Sequence, residues 1–65
     1  GSGVGRRLIA FTEGLARRRG HALLRLYTNE LMVENVAMYP RLGFTETHRG
    51  SEAGYRRRYF EKVLR

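Results

Sequence analysis

The chain has 65 residues and a mass near 7.6 kDa, so it holds one domain at most, and a domain this small buries only about 60% of its unfolded surface. With 42% hydrophobic and 29% charged residues and no cysteine, it is neither disordered nor collagen-like, and it has no disulfide framework, thiolate zinc site or cysteine nucleophile. Twelve Arg and one Lys against six Glu and no Asp leave a net charge of +7, which favours an anionic partner: nucleic acid, an anionic membrane surface or a phosphorylated small molecule.

Residues 1–5 read G-S-G-V-G. Val4, Leu8, Phe11, Thr12 and Leu15 then recur at helical spacing and stripe one face, which predicts a helix from about Val4 to Arg19. Arg6, Arg7, Glu13, Arg17 and Arg18 fall on its other face, and Gly20 follows the last basic turn, where a left-handed residue ends helices. His21 to Tyr27 is apolar on nearly both faces and bounded by turn residues, which predicts a buried strand parallel to its neighbour. Thr28 or Asn29 can cap a second helix running to about Arg41, with Met32, Val33, Val36, Ala37 and Tyr39 inward. Pro40 should kink that helix or end it near Tyr39, and Gly43 closes the segment. Phe44 to Arg49 and Tyr55 to Leu64 alternate as strands around a five-residue turn from Gly50 to Gly54. The expected class is therefore α/β, in the order helix, strand, helix, strand, strand, with a mixed sheet ending in an antiparallel hairpin.

The G-S-G-V-G-R opening offers consecutive backbone N–H groups at a helix N-terminus, whose dipole favours negative charge. Arg6 and Arg7 add guanidinium groups that suit phosphate oxygens. The competing description is a bare N-terminal stub. Neither G-x-x-x-x-G-K-[ST] nor the complete dinucleotide pattern G-x-G-x-x-G occurs, because Arg6 stands where the last glycine of the latter belongs.

Combined with the later run N-V-A-M-Y-P-R-L-G-F, Asn35 to Phe44, this opening resembles the GNAT superfamily of acyl-CoA-dependent N-acetyltransferases. Gly1 to Gly5 match the x-x-G-x-G part of its Q/R-x-x-G-x-G/A motif, and Ala37, Tyr39, Arg41, Gly43 and Phe44 match a second motif one helix and one strand later. The likeness covers all 65 residues and implies the C-terminal half of such a domain, with strands missing before Gly1. It implies that backbone amides around Gly1, Ser2, Gly3, Val4, Gly5 and Arg6 hold the coenzyme A pyrophosphate, with Arg6 or Arg7 beside the phosphates. It implies that Tyr39 is the general acid that protonates the leaving thiolate when acetyl passes from acetyl-CoA to a primary amine. A phenol suits that role, since its pKa of about 10 is close to that of a thiol. Asn29, or else Asn35, would bond the pantetheine arm. Two departures are visible: the family Asn stands seven residues before the Tyr, where this chain has Met32, and Pro40 directly follows Tyr39.

His21 and His48 stand alone with no ligand at metal spacing, so no metal is expected. Glu30 and Glu34 read as a solvated helix face. Arg17 to Arg19 and Arg56 to Arg58, with Tyr55, Tyr59 and Phe60 nearby, support an alternative reading as a small basic module for nucleic acid. No complete nucleic-acid-binding motif accompanies them. On a strand, Arg57 should point away from Arg56 and Arg58. A second alternative is an inactive half-domain that binds acyl-CoA without turnover. No apolar run approaches the about 20 residues that span a bilayer, and no signal segment opens the chain, so a cytoplasmic location without a membrane partner is expected. The strand at His21 to Tyr27 should leave an open sheet edge, and a homo-oligomer that completes the sheet is expected.

Overall fold

A computed structural model describes residues 2–64. In chain order the elements are α1 (Ser2–Arg18), β1 (Leu23–Asn29), α2 (Val33–Arg41), β2 (Thr45–Glu52) and β3 (Tyr55–Val63). This is a small mixed α/β domain whose order agrees with the sequence reading. The sheet is antiparallel throughout, in the order β1-β3-β2. The expected mixed sheet and parallel first strand are thus corrected. β1 pairs with the last strand, Leu26 opposite Phe60 and Asn29 opposite Arg57. The apolar run that suggested burial on both faces in fact alternates, with Arg25 and Tyr27 exposed and Leu24, Leu26 and Thr28 turned toward the core.

Both helices lie on one face of the sheet. Phe60 on the central strand is 2% exposed, and Tyr39 and Phe44 join it in the core, with ring centroids 5.2 Å (Tyr39–Phe60) and 5.8 Å (Tyr39–Phe44) apart. Ile9 of α1, Val36 and Met38 of α2, and Leu24, Leu26 and Leu42 surround this cluster.

α1 does not bury the stripe that its periodicity singles out. Val4, Leu8 and Phe11 are exposed, while Ile9 packs inward and Glu13 is buried. Glu13 tolerates burial because Lys62 on β3 reaches its carboxylate at 2.9 Å, with Arg17 at 3.5 Å on the rim. Lys62 Nζ also donates to the Leu42 carbonyl at 2.7 Å, so one ammonium ties both helices to the sheet. The helix ends as predicted: Gly20 has φ +79°, and the Gly20 and His21 amides donate to the carbonyls of Arg17 and Ala16.

α2 starts later than expected, because β1 runs on through Thr28 and Asn29. Asn29 Oδ1 instead accepts the Leu31 amide at 2.9 Å, forming the turn before the helix. Met32, Val33 and Ala37 are exposed, contrary to the expected inner face, which is made by Asn35, Val36, Met38 and Tyr39. Pro40 lies inside the last turn of α2, and the helix stops one residue later, where Gly43 (φ +93°) turns the chain and the Phe44 amide donates to the Tyr39 carbonyl. A Cβ on Gly43 would lie 3.1 Å from the Lys62 side chain.

The hairpin turn is tighter than five residues. Ala53 (φ 52°) and Gly54 (φ 82°) alone join β2 to β3, a twist that suits antiparallel strands. Gly50 therefore belongs to β2, where the Tyr59 ring lies over it.

Arg49 and Arg58 face each other across β2 and β3, a like-charge pair that would repel. Glu46 bridges them, accepting two bonds from Arg58 at 2.7 and 2.9 Å and one from Arg49 at 2.9 Å. Those hydrogen bonds, Arg58 first, lower the Glu46 pKa to about 2. A carboxyl depressed on folding stabilises the fold above its unfolded pKa, and that contribution fades as pH falls from about 4.5 toward about 2. Glu46→Gln should accordingly lower the melting temperature at pH 7 but leave it nearly unchanged at pH 2. Equal deficits at both pH values in parallel melts would refute the bridge.

Candidate functional site

The first turn of α1 carries the glycine-rich opening. Ser2 to Gly5 are helical, so the predicted loop is replaced by a helix start, and Gly1 lies outside the described residues. The opening amides of a helix have no intrahelical acceptor. Here the dipole is also uncompensated: no acidic residue stands in the first turn, and Arg6 and Arg7 follow, both exposed. Among the described residues neither arginine has a carboxylate within ion-pair distance. A Cβ at Gly3 would meet nothing within 4 Å, so the space above this turn is open. The donor set, N–H groups and guanidinium ions, fits a phosphate or pyrophosphate.

Gly5 brings this turn against α2: a Cβ there would lie 3.5 Å from Met38 Cε. Tyr39, the next residue, is only 8% exposed and sends its ring into the core. Its hydroxyl has no hydrogen-bond partner among the described residues, and burial pushes the phenol pKa above its usual 10. It thus stays protonated at neutral pH, as a general acid must. One turn earlier Asn35 donates from Nδ2 to the buried Thr28 hydroxyl at 3.4 Å. The neighbouring Asn29 uses its carbonyl oxygen in the turn and lines a cleft of about 300 Å³ with Leu31, Gly54, Tyr55 and Arg56.

The sequence residues thus gather around α2 in two pairs: Gly5 of α1 against Met38 beside Tyr39, and Asn35 against Thr28 at the end of β1. Sequence reasoning gives Met38, a non-matching position inside the run from Asn35 to Phe44, and Thr28, a possible helix cap, no role at the site. Their signal is position only, Met38 beside the tyrosine and Thr28 at an inward position of a strand.

The arginine run on β3 is not a free cationic patch. Arg56 pairs with Glu30 at 3.4 Å, Arg57 with Glu52 at 2.8 Å and Arg58 with Glu46 at 2.7 Å. Arg57 does point away from the other two, lying 4.9 Å from the Tyr27 ring on the sheet face opposite the helices. On that face His48 and Tyr59 stack at 4.2 Å and Tyr59 meets Tyr27 at 5.6 Å, a strip that crosses all three strands. Alternation along the strands, not any motif, is its sequence signal. Among the described residues no group of His, Cys, Asp and Glu could hold a metal ion, and no helix is long and apolar enough to cross a membrane.

No family model, curated protein or solved structure matches this chain.

Proposed function

We propose that the chain is the cofactor-facing part of a GNAT-type acyl-CoA N-acetyltransferase, which transfers acetyl from acetyl-CoA to a primary amine. One observation carries the proposal: the α1 N-terminus and Arg6 and Arg7 form a concentration of positive charge with no carboxylate paired to it among the described residues, beside the helix that bears Tyr39. In this reading the amides of about Ser2 to Gly5 donate to the pyrophosphate, Arg6 and Arg7 screen its charge, and Asn29 or Asn35 bonds the pantetheine arm. The bound thioester supplies an acyl group activated toward an amine. As the amine nitrogen bonds to the carbonyl carbon and the carbon–sulfur bond breaks, Tyr39 gives its phenolic proton to the departing sulfur, while the proton lost by the amine passes to water.

The pairing of Arg56, Arg57 and Arg58 with carboxylates favours this reading over a basic module for nucleic acid, which would need those cations free. An amide-resolved NMR titration with acetyl-CoA at moderate salt tests it. Saturable shifts are expected at Gly3, Val4, Gly5 and Arg6, extending to Asn29, Asn35 and Tyr39. A folded sample without shifts there would overturn the proposal. Binding of single-stranded nucleic acid that falls steeply with salt would put the basic module in its place.

A further inference from the structure

Gly5, Ile9 and Glu13 stand one turn apart on a single face of α1, and each meets a part of the molecule that holds Tyr39. Gly5 lies against Met38, the residue before Tyr39. Ile9 packs on the core cluster that contains the Tyr39 ring. Glu13 accepts a bond from Lys62 Nζ at 2.9 Å. The same nitrogen donates at 2.7 Å to the carbonyl of Leu42, which caps α2 just beyond Tyr39. The stretch of α2 that bears Tyr39 is thus held at both ends against one stripe of α1.

The chain has twelve Arg and a single Lys, and the single Lys stands at this junction. A Cβ on Gly43 would lie 3.1 Å from Lys62 Cε and 3.3 Å from Nζ, so the side chain runs close over the backbone that leaves α2. A compact ammonium can turn one donor toward each of two acceptors on different elements, whereas a guanidinium holds its donors in a rigid planar fork. The Leu42 carbonyl also lies at a helix C-terminus, where carbonyls lack intrahelical donors and attract a cation.

We infer that Glu13 and Lys62 are positioning residues, a clasp that sets the phosphate-binding end of α1 against Tyr39 on α2, an assignment that rests on the acetyltransferase reading. The cofactor and the proton donor are carried by different helices. A slide of about 1 Å between those helices displaces the thioester sulfur from the hydroxyl, and a misplacement of that size costs up to about 10²-fold in rate. Apolar packing can match a buried ion pair in stability. The directional bonds from Lys62 fix how far α1 is turned and slid along α2. Neither side chain touches the reacting atoms, and the opening amides of α1 bind the pyrophosphate without them.

Glu13→Leu and Glu13→Gln test the clasp. Leucine offers Lys62 no acceptor, yet it leaves the fold intact: Lys62 retains the Leu42 carbonyl and, at 22% exposure, contact with water. Arg17 also still donates to the Leu64 carbonyl at 3.3 Å and holds that end of α1 to the sheet. Glutamine preserves an acceptor oxygen. The leucine variant is expected to lose about 10- to 100-fold in kcat for acetyl transfer. Its acetyl-CoA dissociation constant, read from the Gly3 to Gly5 amide shifts, should be unchanged and its melting temperature no lower. The glutamine variant should retain most of the native rate. A leucine variant with the native kcat would overturn the clasp. So would rates that fall in both variants in step with their melting temperatures, the mark of a pair that serves stability alone. A native chain without turnover is a separate failure, that of the acetyltransferase reading, and it removes the positioning role as well.

Discussion

Phe60→Ala is expected to remove about 3–5 kcal/mol of folding stability, the usual cost of emptying a phenylalanine site in a core. Phe60 is the most buried side chain described, on the strand that pairs with both neighbours, and it touches the Tyr39 ring edge-on at 5.2 Å. Among the described residues no second core cluster shares the load: helices and sheet meet at Tyr39, Phe44 and Phe60 and the half-buried side chains around them. At about 0.05–0.15 kcal/mol per residue, a chain of 65 residues has roughly 3–10 kcal/mol in total. The substitution should therefore leave much of the protein unfolded at 25 °C, whereas Phe60→Leu, which retains most of the volume, should cost about 1–1.5 kcal/mol. Urea titrations followed by far-UV circular dichroism measure both. An unchanged midpoint for the alanine variant would mean that the layers are held by something other than this cluster.

The elements of this fold were legible because their signals are local. Gly20 and Gly43 mark helix ends at positive φ, as their positions in the sequence suggest. The hairpin is legible from two alternating runs around a glycine. What was not legible depends on contacts distant in sequence. The inward face of α1 could not be read from periodicity, because the helix carries a large-residue stripe at Val4, Leu8 and Phe11 and a second, less conspicuous face at Gly5, Ile9 and Glu13. The second wins where Lys62, 49 residues away, offers Glu13 a partner and Gly5 lets Met38 approach. Strand direction was misread for the same reason: nothing within Leu23–Asn29 says that its neighbour is the last strand of the chain. The site divides likewise. The phosphate-like opening and Tyr39 are visible as residue types, whereas Thr28 and Met38 become partners only through packing.

Tyr39→Phe is expected to lower kcat for acetyl transfer by about 10²- to 10⁴-fold, the range of a lost general acid, while acetyl-CoA binds as before. The substitution isolates chemistry from structure because the phenyl ring retains the contacts with Phe44 and Phe60, and the hydroxyl it removes has no hydrogen-bond partner among the described residues. The melting temperature should therefore stay close to that of the unsubstituted chain. Burial raises the phenol pKa, so the acid form persists beyond pH 10 and loss of its proton does not limit the rate at neutral pH. Release of free coenzyme A thiol reports the rate, and the Gly3 to Arg6 amide shifts report binding in the same samples. Unaltered turnover in the phenylalanine variant would remove Tyr39 from the proton transfer. Binding without turnover in both proteins would make the chain an acyl-CoA-binding module, with the buried tyrosine serving the core alone. Only a loss of rate with binding and melting intact assigns the proton to this hydroxyl, because a merely structural tyrosine would leave the rate unchanged or lower it together with stability.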